Sequence, residues 1–259
     1  MTDPLDFSGK TVLVVGGTSG IGNGIAHGFR QHGALVHVTG TRAAASDYAA
    51  SEGSDLAGLT FHRLDVSDAS ATASFELPER LDVVVLCHGT VRYRREEFER
   101  EGWDAVMEVN LNSLMDCARI VRPRLAERRG SLIVVSSVGA YHAMLGNPAY
   151  AASKAGAVSL VGSLAQAWAG EGIRVIVFAR QRHYIERPTI IHRGTHTLFS
   201  VRLNRFALSR CAKINGMGVR LFLKRLGSAT NNVRVIVFGY IGKCAAFNAL
   251  VALLGKFFS

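Results

Sequence analysis

Apolar residues fall along this chain in two forms, short unbroken runs and longer stretches with helical spacing, and the two alternate. The runs 11–15, 35–39, 61–64, 82–86 and 132–135 are four or five residues long, most of them rich in Val, Ile and Leu. Such runs read as strands buried on both faces, the form that a parallel sheet imposes. Between them lie helical patterns. Ile25, Ala26 and Phe29 follow the first run, and a short segment, 67–79, precedes the fourth. The region 96–129 has Val106, Val109, Leu111 and Leu114 turned inward and its arginines outward, with breaks expected at Gly102 and Pro123. The alternation predicts an α/β fold, a doubly wound parallel sheet of Rossmann-like form in a single domain.

The ends of the strands carry the candidate chemistry. The first strand runs into Gly16-Gly17-Thr18-Ser19-Gly20-Ile21-Gly22 and then a helix. Glycines at 16, 20 and 22 permit a tight turn and close approach to a pyrophosphate, and the helix N-terminus offers N–H groups to the anion. The second strand ends in Gly40-Thr41-Arg42, where an acid would hydrogen-bond an adenosine ribose and repel a 2′-phosphate. A hydroxyl followed by a guanidinium suits that phosphate and favours NADP(H) over NAD(H); the alternative is a solvated loop arginine. Asp65 and Val66 end the third strand and Cys87-His88-Gly89 the fourth, where a loop can pass over an adenine or ribose. His88 reads as a structural residue rather than a catalyst.

Asn110 stands among apolar positions, where it either fixes a kink by hydrogen bonding or holds a water in a proton relay. The fifth strand delivers Ser136 and Ser137 to the edge at which open α/β sheets bind ligands. Thirteen residues after Ser137 comes Tyr150, and Lys154 follows it by four, on the same face of a helix. A tyrosine hydroxyl ordinarily ionises near pH ~10, and a neighbouring ammonium favours the phenolate. The pair can then serve as an acid or base.

In the expected order, Gly16-xxx-Gly20-Ile21-Gly22, Asn110, Ser137 and Tyr150-xxx-Lys154 resemble the short-chain dehydrogenase/reductase family in its single-domain form, 3-oxoacyl reductase-like members included, over residues 7–175. The resemblance implies that Tyr150 protonates a carbonyl oxygen during hydride transfer from a nicotinamide and that Ser137 hydrogen-bonds that oxygen. It assigns Lys154 to the ribose hydroxyls and Asn110 to a relay water, with Tyr150 also beside the cofactor. A small carbonyl or alcohol substrate and a homodimer or homotetramer are implied as well. Of the family's Asn-Ala-Gly after the fourth strand only Gly89 is kept, and Val15 replaces a usual Thr.

Composition divides the chain. Of its 259 residues 48% are hydrophobic, enough for a packed core, and no apolar run reaches the ~18 residues of a membrane span. The polar start lacks a secretory pattern, so a cytoplasmic location is expected, and four separated cysteines suggest neither disulfides nor zinc. Residues 1–173 hold 15 Lys and Arg against 19 acids, whereas 174–259 hold 15 against the single acid Glu186. Residues 1–175 are therefore expected to form the nucleotide-binding and catalytic core, and 176–259 an atypical basic region packed on it. The family's Asn-x-x-x-Pro-Gly segment is missing after residue 175. One explanation is an altered reading frame or splice, leaving a nucleotide-binding protein with impaired catalysis. Another is a basic extension that meets a polyanion, such as an acidic carrier, nucleic acid or lipid surface. Arg-Val-Ile-Val-Phe occurs at 174–178 and again at 234–238, which suggests two strands. No metal site is expected from His192 and His196, which lack a third ligand, and the apolar stretch 245–258 reads as a packed helix.

Overall fold

The computed structural model describes residues 6–49 and 53–180, together with the backbone of three later strands. Six parallel strands form the main sheet: β1 (Thr11–Val15), β2 (Leu35–Gly40), β3 (Thr60–Arg63), β4 (Val83–Leu86), β5 (Ser131–Ser137) and β6 (Arg174–Arg180). Beyond β6 lie β7 (Cys211–Ile214), β8 (Met217–Arg225) and β9 (Val233–Gly239), and the order across the sheet is β3-β2-β1-β4-β5-β6-β9-β8-β7. The repeated pentapeptides lie side by side, since β6 pairs parallel with β9, staggered so that Val177 meets Val235. His192, His196, Glu186 and the stretch 245–258 lie outside the described residues, as does most of the basic region.

Alternate residues of each strand feed two separate cores. Leu13, Val15, Val84, Leu86, Leu132, Val134 and Val175 pack against α4 (Ser113–Arg128) and α5 (Pro148–Ala167). Val12, Val14, Val36, Val38, Val83, Val85 and Ile133 pack on the other face against Ile25, Ala26 and Phe29 of α1 (Gly20–Gln31). Both faces are covered, which is why the strands read as unbroken apolar runs. The chain order reverses between β1 and β4, opening a crevice at the carboxyl ends of the strands. Among the described residues no helix is long and apolar enough to cross a membrane.

The segment 67–79 holds the short helix expected there, α2 (Ala69–Ala73), capped by Asp68. One expectation about helices needs correction. In 96–129, Gly102 lies inside α3 (Arg100–Met107) and Pro123 inside α4. Pro123 and Arg119, whose carbonyl loses its intrahelical partner, are both exposed, so water can meet that carbonyl. The real irregularity is a π-helical turn, Glu108–Asn112.

At the opposite edge of the sheet, Asp82 is 3% exposed, accepts a bond from Thr11 N (3.0 Å) and meets Arg80, Lys10 and Arg128 at 3.1, 3.5 and 3.6 Å. Burial pushes its pKa up, but the Thr11 amide and the flanking cations outweigh this and hold it below the ordinary value. The resulting stability is complete above the ~3.9 of an unfolded aspartate and disappears as pH falls through the folded pKa. Urea denaturation of Asp82→Asn is expected to show a loss of about 1–3 kcal/mol at neutral pH that closes below about pH 4. A loss that stays constant into the acid range would contradict this assignment.

Candidate functional site

The strand-to-helix turn after β1 is a cradle of backbone. Gly16 has φ +76°, and a Cβ there would lie 2.8 Å from the backbone of His88. Ser19 precedes α1 without capping it through its side chain, and no acid occupies the first turn. The helix therefore starts with donors suited to an anion. A cavity of about 600 Å³ opens here. Its walls include Gly16, Thr18, Ser19, Gly20, Ile21 and Gly22 from the turn, Thr41 and Arg42 after β2, Asp65 and Val66 after β3, and Gly89 after β4. The residues expected from these four strand ends thus surround one space. Gly40, Cys87 and His88 from the same strand ends complete it, together with Tyr48, Thr90 and Val109, which the sequence did not single out as contacts.

Arg42 is held in place: its guanidinium donates to the Asp47 carbonyl and lies 4.8 Å from the Tyr48 ring centroid, and its backbone N–H donates to Tyr48 Oη at 3.1 Å. Asp65 Oδ1 accepts from the hydroxyl and amide of Ser67 at 2.7 and 3.0 Å, bonds that hold its pKa below the ordinary value. His88 Nε2 lies 2.9 Å from Ser113 Oγ, whose own proton goes to the Val109 carbonyl, so the imidazole is the donor. Its Nδ1 is enclosed without a partner, and burial, with the Lys154 ammonium, pushes the pKa down to about 3. His88 is a neutral packing residue, in accord with its sequence.

Asn110, Ser137, Tyr150 and Lys154 are not walls of the cavity; they gather beyond its Gly89 end. A Cβ on Gly89 would sit 3.3 Å from Asn110 Oδ1 and 3.4 Å from Lys154 Nζ. Glycine is what lets these groups approach the strand end. Lys154 is 5% exposed and donates to the Val135 carbonyl at 3.2 Å; burial lowers its pKa, and Cys87 opposes that shift. Its ammonium lies 5.7 Å from the centroid of the Tyr150 ring. Ser137 and Tyr150 border one small space, since a Cβ on Gly139 would lie 3.4 Å from Ser137 Oγ and 3.5 Å from Tyr150 Cε1.

Asn110 is fully buried in the π-helical turn. It accepts from Thr90 N at 2.7 Å and donates to Thr90 O at 2.9 Å and Ser153 Oγ at 3.2 Å. These bonds tie the turn to the loop after β4 and to α5. Glu97, also fully buried, went unnoticed in the sequence: it accepts from Arg92 N, Asn147 Nδ2 and Tyr150 N at 3.1, 3.1 and 2.9 Å. In the sequence Asn147 reads as an ordinary cap for α5, and only the structure shows that it makes no such bond and that the first turn has no acid of its own. Removing Asn110 leaves both Thr90 groups unpaired. Asn110→Ala is expected to lose about 1–3 kcal/mol of stability in urea denaturation; an unchanged midpoint would show that Thr90 finds other partners.

A backbone cradle open to an anion, with the Arg42 guanidinium at one side of the same cavity, fits a dinucleotide lying along the strand ends. Comparison with known proteins agrees. The 3-oxoacyl-[acyl-carrier-protein] reductase of Chlamydia muridarum is 34% identical over 175 residues, 64% of this chain and 71% of that protein. The 2-dehydro-3-deoxy-D-gluconate 5-dehydrogenase of Bacillus subtilis is 32% identical over 68% of this chain and 72% of its own length. Among solved structures, an RhlG/NADP active-site complex from Pseudomonas aeruginosa superposes with a TM-score of 0.63 at 30% identity, covering 71% of this chain and 76% of that one. Residues 10–180 match the short chain dehydrogenase model, and the chain belongs to that family of oxidoreductases.

Proposed function

We propose that the protein is an NADP(H)-dependent oxidoreductase that interconverts a ketone or aldehyde and an alcohol, with Tyr150 as general acid/base. The observation that supports this most directly is the meeting of Tyr150, Ser137 and the buried Lys154 at the Gly89 end of the cavity. NADP(H), when bound, supplies or accepts the hydride. Tyr150 gives a proton to the carbonyl oxygen in reduction and takes it back in oxidation. Ser137 donates a hydrogen bond to the same oxygen, where negative charge develops. Lys154 sets its ammonium 5.7 Å from the Tyr150 ring centroid and reaches the ribose hydroxyls, while Asn110 holds the strand-end loop through Thr90.

Arg42 and Thr41 carry the choice of cofactor. No acid stands at the end of β2, and Arg42 is already oriented by Asp47 and Tyr48, so little ordering is needed to receive a 2′-phosphate. Tyr141, Met144 and Leu145 follow Ser137 as exposed apolar side chains and suit a substrate with an apolar chain. A 3-oxoacyl thioester has that character, in line with the name of the Chlamydia relative.

Two measurements test the reading. With 3-oxoacyl thioesters as substrates, Tyr150→Phe is expected to lower kcat by about 10²–10⁴-fold and leave NADPH affinity in place; full activity would remove Tyr150 from the chemistry. Arg42→Ala is expected to weaken NADPH binding about tenfold or more and NADH binding little, since a charge-assisted bond is lost only with the 2′-phosphate. Equal weakening of both would contradict the assignment to NADP(H).

A further inference from the structure

We propose that Glu97 is the positioning residue of the acid/base site, a remote cap that fixes Tyr150 by holding the first turn of its helix. The inference rests on the reading of Tyr150 given above and adds a residue that the sequence motifs do not contain. Helices ordinarily satisfy their first N–H groups with the side chain of the residue just before them. The residue before α5 is Asn147, and it makes no such bond. Its amide instead donates outward, to the Arg92 carbonyl at 2.7 Å and to Glu97 Oε1. The acceptor for Tyr150 N is Glu97 Oε2, from 53 residues earlier in the chain.

Glu97 is 0% exposed, and its three partners are all N–H donors, which a carboxylate accepts without carrying a proton. One oxygen serves Arg92 and Asn147 and the other serves Tyr150. The carboxylate thus ties the tyrosine's own backbone to the loop that follows β4. The same loop is fixed at its start by Asn110, through both backbone groups of Thr90. Between these two anchors Arg94 and Arg95 take φ values of 56° and 66°, a left-handed conformation unfavourable for residues with a Cβ. A conformation of that kind persists only where its surroundings hold it: Glu96 N to Tyr93 O at 3.2 Å and Phe98 N to Arg95 O at 3.0 Å close the turn, and Glu97 ties it to α5. The rest of α5 is secured independently, by Ala157, Val161, Leu164 and Ala165 in the core. Loss of the Glu97 contacts should therefore free the first turn without unfolding the helix.

Glu97→Gln keeps the shape and sets an NH₂ against either Tyr150 N or the pair Arg92 N and Asn147 Nδ2. Hydrogen–deuterium exchange of the full-length protein is expected to quicken in peptides covering 147–153 and not in the strands. Steady-state kcat with a 3-oxoacyl thioester is expected to fall about 10–100-fold, with the Kd for NADPH within about twofold of wild type. Unchanged exchange at 147–153 overturns the proposal. So does exchange that quickens throughout the sheet while NADPH affinity and kcat fall together, which would mark Glu97 as a general stabiliser. If the Gln variant does not fold, Asn147→Ala, which removes one donor and leaves the carboxylate, is expected to quicken exchange in the same peptides; no change there is equally fatal. Should wild type reduce no carbonyl, the reductase reading fails, while exchange still decides whether Glu97 holds the helix.

Discussion

An ammonium group buried to 5% exposure is the constraint around which the site is assembled. A cation taken out of water is costly unless it is given oxygen partners, and removing such partners costs more than adding them gains. Lys154 finds one at the Val135 carbonyl, near the carboxyl end of β5. Its own carbonyl accepts from Ser136 Oγ, so helix and strand are tied by main chain and side chain at once. Gly89 leaves room for the ammonium beside Asn110, and the π-helical turn brings Asn110 to that point. Because β4 and β5 are neighbours and β1 lies next to β4, this cluster stands beside the glycine turn rather than elsewhere along the sheet edge.

Legibility in the sequence follows the range of the interactions. The strands of the core, the glycine turn and the Tyr150–Lys154 face are set by periods of two or 3.6 residues and by glycine, and all are visible in short windows. The resemblance drawn from those motifs agrees with the fold and the family match. Glu97 was hidden because two of its three partners are 50 and 53 residues away, and nothing in the run Arg94-Arg95-Glu96-Glu97 distinguishes the second glutamate from a solvated one. The π-helical turn was hidden for another reason. One extra residue per turn leaves Val106 and Leu114 inward, so the apolar pattern still reads as continuous helix. Pro123 misled in the opposite direction: it lies on the exposed side of α4, where water can meet the Arg119 carbonyl, and the helix continues past it.

Recognition and chemistry are divided between two kinds of structure. The cofactor cavity is built largely from backbone and strand ends, with Arg42 and Asp65 pre-set by neighbours within a few residues of each. Such local fixing lowers the ordering cost of binding. The cluster around Tyr150 instead depends on long-range ties, from Asn110 to Thr90 and from Glu97 to Tyr150. Changes at the cavity should therefore act on affinity, and changes at the ties should act on geometry.

The central claim is that this site passes hydride between a nicotinamide and a carbonyl carbon. Its most direct test is to incubate the full chain with NADPH deuterated at both C4 positions and an acetoacetyl thioester, and to locate deuterium in the alcohol by mass spectrometry. The account predicts deuterium on the carbinol carbon and no loss of label to solvent. Alcohol without label, or no alcohol from a protein that binds NADPH, would contradict it.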